Sequence, residues 1–116
     1  MHELSIALDL VDLACDEMDR RGIARVEAVH LRLGLLAGVV RDALLFSFDA
    51  AAVDTPLQGA RLAIEDVPVT VWCDACAAER ALPSVATRRC PLCGAVTARV
   101  VHGEELEMVG LEIVEP

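Results

Sequence analysis

Two groups of residues in this sequence could do chemistry. The first is a pair of cysteine knuckles, Cys73-Asp-Ala-Cys76 and Cys90-Pro-Leu-Cys93, in the pattern C-x2-C-x13-C-x2-C. Each C-x2-C can turn tightly enough to aim two thiolates at one ion, and two such turns close a tetrahedron. Zinc accepts four thiolates without redox change, and a fully thiolate-coordinated ion keeps no open position for a substrate. The pattern therefore reads as a structural zinc site formed by Cys73, Cys76, Cys90 and Cys93. Gly94 and Pro91 favour the second turn. Rubredoxin-like iron, a disulfide or a redox pair are the alternatives. Iron is disfavoured because the neighbourhood holds a single aromatic residue, Trp72.

The second group is the opening Met1-His2-Glu3. The α-amine, the His2 backbone nitrogen and the His2 imidazole are three donors that can close adjacent five- and six-membered chelate rings. They would then lie nearly in one plane, an arrangement favoured by nickel(II) and copper(II) and not specifically by zinc. Glu3 adds a carboxylate or a fourth nitrogen. Histidine is bulky for removal of the preceding Met, so Met1 and its amine are expected to remain. Read alone, the tripeptide has a plain alternative: a solvated histidine followed by a first-turn acid.

These groups need elements to hold them. Residues 3 to about 20 have helical periodicity, with Leu4, Leu8, Val11, Cys15 and Met18 along one apolar face and Ile6, Leu10 and Leu13 widening it. Arg20, Arg21 and Gly22 close that helix. Cys15 then reads as an inert core thiol. Residues 25–33 alternate as a strand, with Val29, Leu31 and Leu33 opposite His30 and Arg32. "GLLAG" turns the chain. Residues 40–52 are helical again, with Leu44, Leu45 and Phe48 as core. A second strand follows, with Leu62 and Ile64 inward. After Gly103, Leu106 and Met108 begin a third strand, and Gly110 marks a candidate bulge.

The predicted class is α+β: a small sheet of about three strands with two helices, plus an inserted zinc-ribbon-like domain. The expected division is 1–68 and 103–116 for the α+β domain and 69–102 for the insert.

Composition narrows the function. In 116 residues, 10 basic side chains face 19 acidic ones, for a net charge of −9. This disfavours nucleic acid and anionic membrane surfaces as partners and suits a protein that handles cations. No run reaches the roughly 20 apolar residues of a membrane span, and the acidic N-terminus is unlike a signal peptide. The expected location is the cytoplasm, where paired cysteines more often hold metal than form disulfides. There is no phosphate-binding glycine loop, nucleophile elbow or HExxH, so no enzyme is expected. His30 and His102 read as structural or solvated.

Taken in order, "MHELSIA", "VHLRLGLLAGV", "ALLFSFDAA", "GARLAIEDVPV", "WCDACA", "CPLCG" and "GEELEMVGLEIVE" closely resemble the HypA/HybF family of hydrogenase-maturation nickel chaperones. The resemblance spans essentially the whole chain, and its specific parts are "MHE" and the two C-x2-C pairs. It implies Ni(II) at His2 with backbone nitrogens near Met1 and His2, Glu3 close by, and structural zinc on the four cysteines. It implies a HypB-type partner GTPase and a [NiFe]-hydrogenase large-subunit precursor as recipient. Some relatives also serve urease. Asp42 is the nearest candidate for an acidic residue that lies near the nickel in some members. The competing class is a zinc-ribbon module for protein interaction or nucleic-acid binding, with no nickel role.

Overall fold

The computed structural model describes residues 2–84, 87–97 and 99–114. The elements run α1 (Glu3–Arg21), β1 (Val26–Gly34), α2 (Arg41–Ala52), β2 (Arg61–Val67), β3 (Thr70–Cys73), β4 (Ala78–Ala81), β5 (Arg99–His102) and β6 (Leu106–Ile113). They form two three-stranded sheets, ordered β2-β1-β6 and β4-β3-β5. The expected α+β class and the helix–strand–helix–strand–insert–strand order both hold. No helix among the described residues is long and apolar enough to cross a membrane.

The chain divides into two compact units. The first comprises Met1–Leu31, Val39–Ile64 and Met108–Pro116. In it α1 packs against α2, over a core that includes Leu10, Val11, Val29, Leu31, Leu44, Phe48 and Leu57. Helix α1 ends as its sequence suggests. Gly22 turns left-handed at φ 65°, and the Ile23 N–H bonds back to the Met18 carbonyl at 2.9 Å. Arg20 and Arg21 both pair with Glu17.

The buried stripe of α1 differs from the expected one. Ile6, Ala7, Leu10, Val11, Ala14 and Met18 are buried, whereas Leu4 is 51% exposed and Leu8 48%. A count of bulky side chains gives alanine little weight. Close approach between helices selects for it, because interaxial distance depends on the side chains at the contact. Ala7 and Ala14 are fully buried, and the stripe turns toward them. Leu13 is exposed, Cys15 is half-buried, and in α2 Leu45 is less buried than Leu44 and Phe48.

The second unit comprises Arg32–Gly38 and Glu65–Glu107. Its buried core is small: Val69, Val71 and Leu82, with Leu36 and Val100 packed on it. Strand β3 is central, antiparallel to both β4 and β5. These short strands were not predicted from the sequence, because four-residue strands are too short to show a period. Arg99 covers the Trp72 ring at 5.4 Å. The "GLLAG" turn is held by the 103–105 segment: Gly34 N–H donates to the Glu105 carbonyl, and Leu36 N–H donates to the Gly103 carbonyl, both at 2.7 Å.

Candidate metal centres

The two cysteine knuckles are locally built turns. In the first, the Cys76 N–H points at the Cys73 sulfur at 3.4 Å. In the second, the Cys90 N–H bonds the Ala95 carbonyl at 2.8 Å and the Gly94 N–H bonds the Cys90 carbonyl at 2.9 Å. The residue after each knuckle is left-handed: Ala77 at φ 53° and Gly94 at φ 76°. Strand β3 ends on Cys73, and its pairing with β4 carries the chain back past the first knuckle.

The four sulfurs, separated by up to 20 positions in sequence, converge. Cys73 Sγ lies 3.5 Å from Cys93 Sγ, and Cys76 Sγ lies 3.9 Å from Cys90 Sγ. All four lie within 4.8 Å of one another. A tetrahedron with zinc–sulfur bonds of about 2.3 Å has edges of roughly 3.8 Å, so the donor set fits a zinc-sized ion. Cys73 and Cys90 are buried, Cys76 is half-buried and Cys93 is exposed.

Among themselves the thiols hold protons unequally. The backbone N–H groups of Cys93 and Leu92 bring the Cys90 thiol down to about 6. The Ala95 N–H also pulls on Cys93, but the sulfurs of Cys73, Cys76 and Cys90 together push that thiol up to about 12. Crowded thiolates repel, so full ionisation of all four calls for a cation at their centre.

The opening residues are arranged differently. His2 is the N-cap of α1, extended at φ −84° and ψ 115°, exposed, and without a side-chain capping bond. Its carbonyl accepts the Ile6 N–H at 3.2 Å, the first bond of the helix. Glu3 turns toward α2: its Oε2 accepts the backbone N–H of Val40, the N-cap of α2, at 3.3 Å. Asp42 lies exposed in the first turn of α2. Met1 lies outside the described residues. Among the described residues, the four cysteines are the group of three or more side chains placed to hold a metal. His2 and Glu3 form no such group with a third side chain among the described residues.

The remaining candidates have ordinary partners. His30 Nε2 lies 2.6 Å from Glu112 Oε1, and Arg61 reaches the same carboxylate at 3.2 Å. His102 Nδ1 lies 3.1 Å from Glu105. Burial raises the Cys15 thiol above its usual range, with Asp12, Asp19 and Asp16 adding to the effect, the opposite of the shift that activates a thiol. Two features were not legible beforehand: the Glu3–Val40 contact, which needs the tertiary fold, and the inward position of Arg80 on β4. Once the strands are known, the alternation of "VWC" and "AER" is the signal for the second.

The comparisons agree with the fold and motifs. A family model described as hydrogenase/urease nickel incorporation, metallochaperone, HypA matches residues 1–113. The chain is 56% identical over 112 residues to hydrogenase maturation factor HypA of Roseiflexus sp. (strain RS-1), covering 97% of this chain and 91% of that relative. It is 39% identical over 112 residues to hydrogenase maturation factor HybF of Klebsiella pneumoniae, covering 97% and 98%. Its fold matches the solution structure of the Ni metallochaperone HypA from Helicobacter pylori with a TM-score of 0.69, at 20% identity and over 100% of both chains. With its full-length match and its four converging cysteines, the chain belongs to the HypA/HybF family of hydrogenase and urease nickel-incorporation metallochaperones.

Proposed function

We propose that this protein binds Ni(II) at its N-terminus through the Met1 amine, the His2 backbone nitrogen and the His2 imidazole, with Glu3 beside the site. It delivers the ion to the large-subunit precursor of a [NiFe]-hydrogenase. The observation that carries this reading is the state of His2 in a HypA family member: exposed, extended and without a capping bond at the head of α1. A planar set of nitrogens suits nickel. A site at a chain terminus opens with little rearrangement, so a recipient's ligands can compete for the ion. Because amine, amide and imidazole all bind in deprotonated form, affinity falls as pH falls. The net charge of −9 favours cation encounter.

The four cysteines would hold zinc as a structural ion, closing both knuckles around a unit whose own apolar core is small. The chain's work is then binding and transfer, not catalysis. A HypB-type GTPase is the proposed partner in nickel supply. Urease maturation proteins are a further class of recipient, in keeping with the family's description. The proposed location is the cytoplasm.

The test is a Ni(II) titration of tag-free protein with Met1 in place, followed by visible absorption and calorimetry. The His2→Ala variant and a copy extended before Met1 are run in parallel, after zinc content has been checked. The expected result is about one nickel with a planar-type spectrum for the native chain and loss of that site in both altered proteins, with zinc and fold retained. Equal nickel binding by all three proteins would overturn the N-terminal chelate.

A further inference from the structure

The register of the second sheet divides its arginines between two faces. In the β3–β4 pair, Val71 is opposite Arg80 and Cys73 is opposite Ala78. Directly opposed residues share a face of a pleated sheet, as do alternate residues along a strand. Val71, Cys73, Ala78 and Arg80 therefore lie on one side, and Trp72 and Glu79 on the other. Arg99, paired with Trp72, takes the Trp72 side and stacks there. Arg80 takes the side of Cys73, where Val71 and Cys73 are fully buried.

A charged side chain on that face needs a reason. Nη1 of Arg80 donates to the Glu79 carbonyl at 3.2 Å. Its Nε is shielded from solvent and has no hydrogen-bond partner among the described residues. Its guanidinium lies within reach of the Cys76 sulfur and, next, of the Cys90 sulfur. Those two cysteines come from different knuckles, so the guanidinium sits where the two halves of the site meet.

We propose that Arg80 is a positioning residue of the four-cysteine site, offsetting the excess negative charge of a metal tetrathiolate and holding the two knuckles together around it. Four thiolates around a divalent ion leave two negative charges in excess. A guanidinium is permanently cationic and presents several N–H donors in a fixed fork. Outer groups of this kind tune how tightly a metal is held. The inference rests on the reading of Cys73, Cys76, Cys90 and Cys93 as metal ligands.

The experiment compares full-length native protein with Arg80→Met, which keeps the stem without the charge, and Arg80→Lys, which keeps the charge. Zinc retention is measured against a competing chelator. The thiolate-to-metal charge-transfer band is recorded after loading with cobalt(II), and far-UV melting controls for folding. Arg80→Met is expected to hold zinc about 10- to 100-fold less tightly and to shift the cobalt band to lower energy, since sulfur loses a neighbouring positive charge. Arg80→Lys is expected to recover most of both. Should Arg80→Met not fold, Arg80→Gln takes its place with the same expectations. Native-like retention and an unshifted band in the uncharged variant would overturn the inference. So would a folded lysine variant as weak as the methionine one. A native chain that takes up neither zinc nor cobalt would instead remove the four-cysteine reading, and this inference with it.

Discussion

Glu3 Oε2 accepts the backbone N–H of Val40 at 3.3 Å, joining the first residue of α1 to the N-cap of α2. Val40 and His2 both lack a side-chain cap; Glu3, 37 positions away, leaves that gap open and instead accepts the N-cap residue's own backbone N–H. Glu3 thus has a structural role whatever it does for nickel. Glu3→Ala should cost about 1 kcal/mol, within the range for a single hydrogen bond. Glu3→Gln, which keeps an acceptor, should cost less. Thermal melting of the two variants measures the difference, and equal melting temperatures would show that the contact contributes nothing.

Gly34 and Gly103 meet backbone to backbone. A Cβ on Gly34 would lie well inside contact distance of the Gly103 carbonyl and 2.7 Å from the Glu104 nitrogen. Neither group can rotate away. Gly34→Ala should therefore destabilise by about 3 kcal/mol or more, the upper range for overpacking. At Gly22 a Cβ meets open space and the φ of 65° is the sole obstacle. Gly22→Ala should cost only about 1 kcal/mol. Urea denaturation of the pair separates steric clash from backbone strain.

Ala77 follows the first knuckle at φ 53°, where Gly94 follows the second at φ 76°. A left-handed alanine carries strain of roughly 1–2 kcal/mol that glycine avoids, partly offset by glycine's greater chain entropy. Ala77→Gly should stabilise by about 0.5 kcal/mol. The expected reading is a small rise in melting temperature at constant zinc loading; a fall would mean that the side chain packs usefully.

The pH dependence of stability should have an acid limb from two glutamates. The His30 hydrogen bond, with Arg61 nearby, holds the Glu112 carboxyl below its usual range. The Gly103 N–H, at 2.6 Å, does the same for Glu105, with His102 assisting. A carboxyl whose pKa is lower in the folded state contributes stability above its unfolded pKa of about 4.3. That contribution is lost as pH falls through the folded values. Denaturant midpoints followed from about pH 6 down to about pH 3 should drop steadily, and the drop should be shallower in a Glu105→Gln, Glu112→Gln double variant. An unchanged slope would assign the acid sensitivity to other groups.

Local chemistry was legible in the sequence by itself. A C-x2-C knuckle is a four-residue turn, so spacing alone foretold two of them, and the sulfurs duly converge. Gly22 after two arginines marked the end of α1 because a helix terminus is settled within one turn. The order of α1, β1, α2, β2 and β6 followed from hydrophobic period, and the opening tripeptide stood out because its donors are covalently adjacent.

What only the tertiary structure decided depends on residues distant in sequence. Which stripe of α1 is buried was decided by packing, which runs it through Ala7 and Ala14, both fully buried. The partner of Glu3 depended on where α2 begins. The meeting of Gly34 with Gly103 needed two backbones to close on each other. The inward face of Arg80 depended on strand register, since a slip of one residue reverses every side chain of a strand. Periodicity reports that an element has a face; packing determines which face is used and what it meets.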